Sequence, residues 1–146
     1  MKIAIGCDHA AFNEKNILIE YICKELKYEV IDLGCNSLDS VDYPEFGHVV
    51  GRSVANKEVD KGIVICGSGI GISIAANKIK GIRAALCTSI EHAIMSRKHN
   101  DANILAMGAR FTKLNLLKLI VEVWLKTDFE GDRHQRRVDK IENFLK

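Results

Sequence analysis

Apolar residues fall along this chain in two textures. Short, mostly apolar runs predict five strands: "KIAIG" at 2–6, "EVIDLG" at 29–34, "GIVIC" at 62–66, "IRAALC" at 82–87 and "NILAMG" at 103–108. Between them the spacing turns helical. Residues 11–27 set Phe12, Ile17, Leu18, Tyr21, Ile22 and Leu26 close to a 3.6-residue period. Helices are predicted also over 45–57, 71–79, 89–99 and 113–126, with a last amphipathic one over 133–146. Boundary residues agree with these spans. Ser89 suits an N-cap, and Gly81 stops the helix before it. Pro44, the only proline, can open a helix because its missing N–H costs nothing there.

Strand and helix alternate five times with short connections, and this predicts a parallel sheet with helices on both faces. The expected fold is α/β: a single doubly wound, Rossmann-like domain over 1–146, with five parallel strands and an extra C-terminal helix. "GIVIC" lacks alternation, as strands buried on both faces do. The expected strand order is 2-1-3-4-5, with a crevice between the C-terminal ends of the first and third strands. No repeat, low-complexity tract or linker divides the chain.

Composition narrows the function classes. The 146 residues are 47% hydrophobic and 27% charged, with a formal charge of +2. That charge is too mild to argue for nucleic acid or an acidic membrane. No apolar run approaches the roughly 20 residues of a membrane span. The N-terminal apolar core is too short for a signal peptide, so a cytoplasmic protein is expected. The five cysteines are odd in number and lack any C-x-x-C pair, which argues against a disulfide frame or a zinc ribbon. Cys7, Cys23, Cys35 and Cys87 read as structural.

Cys66 is different because of its neighbours. In the expected order, "GCDHA" at 6–10 and "CGSGIG" at 66–71 end side by side, so Asp8 and His9 face Cys66 across the crevice. The glycines at 67, 69 and 71 miss the dinucleotide spacing, since position 72 is Ile. The next strand ends at Cys87 and Thr88 rather than at an acidic residue, and no lysine sits where a Walker loop needs it. Such glycines are often no more than a tight corner. They also let main-chain N–H groups converge near a helix N-terminus, where an anion or oxyanion is favoured. A thiolate beside them can act as nucleophile or base, with Ser68 as a hydrogen-bond donor.

Several ordered motifs then resemble the ribose-5-phosphate isomerase B family, within the wider group that includes galactose-6-phosphate isomerase subunits. They are "GCDHA" (6–10), "DYP" (42–44), "CGSGIGISIAANK" (66–78), "GIRAA" (81–85), "RKHND" (97–101) and "GDRHQRRV" (131–138), and they run almost end to end. The resemblance implies a cofactor-free aldose–ketose isomerase acting on ribose 5-phosphate and ribulose 5-phosphate. It implies Cys66 as the base that takes a proton from the carbon next to the carbonyl. It implies His99 as the acid that helps open the furanose ring. Asp8, His9, Gly67, Ser68, Gly69, Ile70, Gly71 and Asn100 would hold the sugar, and Arg110, Arg133 and Arg137 the phosphate. Another branch uses a glutamate where this chain has Ile72; the thiol here implies the cysteine branch. Ser68 stands where many members carry Thr, and the hydroxyl is kept.

The chemistry is consistent with those parts. Aldose–ketose isomerisation needs a base, oxyanion donors and a means of opening the ring. No metal is expected: His92 and His99 share a helix face, but no acidic partner is spaced to complete a site. His99 and Asn100 precede the last strand, so a strand of roughly 17 Å separates them from Cys66. A second subunit must then supply them, which predicts a homodimer or dimer of dimers with shared sites. Arg133 and Arg137 are i and i+4 on one face, whether as a phosphate clamp or an exposed basic face. His134 and Tyr43 are left open. Two alternatives stand beside this reading: an allose or galactose 6-phosphate isomerase, and a non-catalytic nucleotide-binding module.

Overall fold

In a computed structural model, which describes residues 1–144, the apolar runs become five parallel strands: β1 Lys2–Cys7, β2 Glu29–Asp32, β3 Lys61–Cys66, β4 Ala84–Leu86 and β5 Ile104–Gly108. The helical segments become α1 Phe12–Lys24, α2 Tyr43–Ala55, α3 Ile70–Asn77, α4 Ile90–Asn100, α5 Leu114–Lys126 and α6 Asp132–Glu142. The expected last helix is therefore shorter, and its residues 145–146 lie outside the described residues. Ser89 does cap α4, its side chain accepting the His92 N–H at 3.2 Å. Pro44 lies in the first turn of α2.

The expected strand order needs one correction. The sheet runs β2-β1-β3-β5-β4, so β5 pairs with β3 and β4 stands at the edge. Burial explains the exchange. All five residues of β5 are buried, whereas the three of β4 are only half-buried. The longer apolar run takes the central place, and the short "AAL" strand takes the edge, where a few residues suffice.

This exchange also moves a helix. Parallel crossovers are right-handed, so a connection that turns back along the sheet lies on the opposite face. α2 and α3 pack together on one face over Val50, Val54, Ile72 and Ala76. α1, α4 and α5 cover the other over Leu18, Ile22, Ala93, Leu117 and Trp124. Strand β1, buried from Ile3 to Cys7, separates the two layers.

One buried charge ties this frame to the crevice. Lys15 of α1 is 2% exposed, and its Nζ donates to Asp32 Oδ2 at 2.8 Å and to the Cys35 carbonyl at 2.7 Å. A lysine so buried is kept only when its charge is paired and its protons are satisfied. Gly34 lets it pass, since a Cβ there would lie 2.6 Å from Lys15 Cδ. The pairing anchors the 35–42 loop, which reaches back over the end of β1.

Candidate active site

Two groups of chemically able side chains lie at opposite ends of the sheet. The first forms where β1 and β3 end. Cys66 closes β3 at 4% exposure, and its Sγ accepts the Gly69 N–H at 3.2 Å. Gly69 holds φ +78°, and a Cβ there would stand 2.6 Å from the Met107 carbonyl carbon and from Leu86 Cδ1. Only glycine fits this corner. The corner turns the chain directly into α3, leaving the Gly71 and Ile72 N–H groups without an acceptor among the described residues. These N–H groups form the favourable end of a helix for negative charge.

Asp8 and His9 arrive beside this turn, as the sequence predicts. The Asp8 N–H bonds the Ile65 carbonyl at 3.4 Å, extending the β1–β3 ladder to the residue before Cys66. Asp8 is 7% exposed, and one carboxylate oxygen accepts the Ala10 N–H at 3.0 Å. His9 Nδ1 accepts the Val41 N–H at 3.1 Å from the anchored loop. A neutral imidazole with Nδ1 accepting carries its proton on Nε2, so His9 offers a donor. Arg110 lies over Gly67: a Cβ there would be 3.1 Å from its Nη1. The Arg110 N–H also bonds the Gly67 carbonyl at 3.0 Å. Ser68 Oγ accepts the Ile70 N–H at 3.2 Å, and so props the start of α3.

Tyr43, which the sequence leaves open, belongs to this group. Its ring covers Gly71 so closely that a Cβ would come within 2.5 Å. Its position follows from Pro44, which starts α2 beside the turn. Cys66 is set apart from the other thiols by the Gly69 N–H aimed at its sulfur. Like Cys66, Cys7, Cys35 and Cys87 are buried, and burial pushes Cys87 up to about 11. Cys7 is raised too, by burial and by Cys35, whose sulfur is 3.7 Å away. Cys23 is exposed.

The second group gathers where α4 ends and α6 begins. His99 is in the last turn of α4, and its ring stacks on His134 with centroids 4.2 Å apart and planes 14° from parallel. Arg133 Nε donates to His134 Nε2 at 3.4 Å, and Arg137 Nη1 lies 3.4 Å from His134 Nδ1. Glu130 Oε2 is 3.6 Å from His134 Nε2. Asn100 is exposed beside them, as are Arg133, Arg136 and Arg137. His134 is buried, because Val138 one turn on shares its inward face. The sequence offered a signal in that i, i+4 pair, but no way to see which helix it meets. His99, Glu130 and His134 place possible ligand atoms within 4.8 Å of one another. They form a poor metal site: lone pairs of near-parallel rings run side by side, and two guanidiniums crowd the cluster.

The strand register measures how far apart the groups are. Gly108 of β5 pairs with Cys66, while Ile104, just after His99 and Asn100 in the chain, pairs with Gly62. Four residue steps of strand, about 13 Å, lie between those two levels. Cavities of about 720 and 240 Å³ lie away from Cys66, near Gly81 and the end of α6 and along β4. Ile70 and Ile74 of α3 and Phe111, three residues past β5, are exposed.

Comparison with known proteins adds the following. The sequence model of the family described as "Ribose/Galactose Isomerase" matches residues 3–141. The chain is 50% identical over 140 residues to ribose-5-phosphate isomerase B of Escherichia coli, covering 96% of this chain and 93% of that one. Its fold superposes on ribose-5-phosphate isomerase B of Clostridium thermocellum with a TM-score of 0.96 and 54% identity, covering 99% and 97% of the two chains. The Mycoplasma genitalium enzyme, solved with bound ribulose 5-phosphate, gives 0.93 and 43% identity over 98% and 95%.

Proposed function

We infer a function from one premise: the chain belongs to the ribose/galactose isomerase family. It is a sugar-phosphate aldose–ketose isomerase, and its substrates are ribose 5-phosphate and ribulose 5-phosphate. Cys66 removes the proton from C2 of the open aldose and returns it to C1, passing through an enediolate in which the O2 hydroxyl proton moves to O1. The Gly69 N–H on Cys66 Sγ, at 3.2 Å, is the observation that carries this reading. It aims a main-chain donor at a sulfur that gains and loses charge during proton transfer. The free N–H groups of Gly71 and Ile72 and the His9 Nε2–H face the developing oxyanion. Asp8, Asn100 and the 67–71 turn hold the sugar hydroxyls. Arg110, Arg133 and Arg137 take the phosphate, for which guanidinium forks suit paired oxygens.

His99 serves the earlier step. It protonates the ring oxygen as the C1–O4 bond breaks, and the C1 hydroxyl releases its proton to leave the aldehyde. His99 and Cys66 sit at opposite ends of one sheet, so the working site joins Cys66 of one subunit to His99 of another. The exposed Ile70 and Ile74 of α3 and Phe111 past β5 support such a neighbour. Five free cysteines fit a reducing, cytoplasmic setting.

Ribulose 5-phosphate separates the two steps. Its O5 carries the phosphate, so it has no hydroxyl with which to close a furanose. Exchange of its C1 hydrogen with heavy water therefore reads proton abstraction alone. Cys66→Ala is expected to lower both this exchange and turnover by about a thousandfold, the scale of a lost general base. Native-like exchange in that variant would refute the role of Cys66. A panel of pentose and hexose phosphates tests the sugar: a preference for allose or galactose 6-phosphate would overturn the pentose assignment.

A further inference from the structure

His134 is a buried titratable side chain to which this chemistry gives no task. It is 4% exposed, although Arg133 and Arg137 on either side of it in α6 are exposed. Its ring lies flat against His99, with planes 14° apart and centroids at 4.2 Å. Each ring nitrogen faces a guanidinium at 3.4 Å: Nε2 faces Arg133 and Nδ1 faces Arg137. A neutral imidazole has one acceptor nitrogen, and an imidazolium has none. Two flanking cations therefore select the neutral ring. Burial holds His134 below the usual histidine range, and His99, Arg133 and Arg137 add to that; Glu130 pulls the other way.

Two features of this ring can be separated. The flat face can fix the plane of His99. Its one acceptor nitrogen, Nε2, can hold the Arg133 guanidinium at a set distance from that plane, with Arg137 alongside at Nδ1. Resting on the roles given above to His99 and the arginines, we propose that His134 is a positioning residue that does both. It sets the ring-opening imidazole and the phosphate clamp in one register, so that a sugar gripped by its phosphate presents its ring oxygen to His99. An aromatic neighbour and a polar acceptor are different requirements, and histidine meets both.

The test uses His134→Phe, which keeps the flat face and removes the acceptor edge, and His134→Gln, which keeps an acceptor and removes the face. For ribose 5-phosphate, His134→Phe is expected to raise KM about tenfold with kcat within about threefold, as for lost charge-assisted contacts. His134→Gln is expected to lower kcat about tenfold or more with little change in KM. In both variants, C1 exchange of ribulose 5-phosphate at saturation stays within about threefold of the parent, because it needs no ring opening. That exchange also reports an intact fold. If both variants change kcat and KM together, His134 only fills space and the inference fails. If His134→Phe loses ribose 5-phosphate turnover as deeply as His99→Gln, His134 is itself the proton donor and the positioning role is wrong. If His99→Gln leaves that turnover intact, the fault lies in the role given to His99.

Discussion

The Cys66 turn and the His99–His134 cluster are built from different materials. The first is main chain: Gly69 at φ +78°, an N–H on sulfur, and strand ends locked by the β1–β3–β5 ladder. The second is side chain: a ring stack and two long arginines, where α6 meets α4 near the chain's end. Main chain tolerates almost no change in shape, whereas long side chains have several rotamers to choose from. On the proposed function, one site thus divides its demands, with rigidity at the carbon acid and adaptability at the phosphate.

The sharpest way to break that contrast is Gly69→Ala. The methyl group would meet Met107 main chain at 2.6 Å, in a conformation that L-residues avoid. A stability loss of about 2–4 kcal/mol is expected from strain and overpacking together, with turnover nearly abolished. Thermal unfolding and steady-state assays check it; an unchanged protein would show that the turn is not rigid. Arg133→Ala and Arg137→Ala should act more gently. Each is expected to raise KM for ribose 5-phosphate about tenfold while unfolding at the parent's temperature, since both side chains are exposed. A large loss of stability would show that the cluster is structural after all.

The smallest effect concerns acid. His134 has a depressed affinity for protons in the folded chain, so the unfolded chain binds more of them. Its contribution to stability is full above the ordinary histidine range and falls as pH drops through it. Melting temperature should therefore decline from pH 7 to pH 5, and His134→Phe should flatten that decline. An unaltered slope in the variant would assign the acid sensitivity elsewhere.

The same contrast explains what the sequence could tell. The glycine turn was legible because main-chain geometry leaves a mark in residue type: only glycine fits Gly69, and an uninterrupted apolar run marks a buried strand. Pairing strands in chain order predicts β4 beside β3, whereas β5 takes that place. The fully apolar "ILAMG" and the three-residue "AAL" carried the correction, since the longer buried run belongs inside. Lys15 gave no signal, because a lysine in an amphipathic helix ordinarily faces water. His134 and Tyr43 stayed open for a related reason. Their roles depend on which helix or turn packs against them, and spacing along one helix does not encode that.

The central claim is that the two regions, apart in one chain, form one site across two chains. Mixing subunits tests it most directly. Cys66→Ala and His99→Gln chains, each inactive on ribose 5-phosphate, are refolded together in equal amounts. Half of the resulting dimers are mixed, and each of these has one site with both native groups, so about a quarter of the parent activity should return. If the mixture stays as inactive as its components, Cys66 and His99 do not meet across subunits.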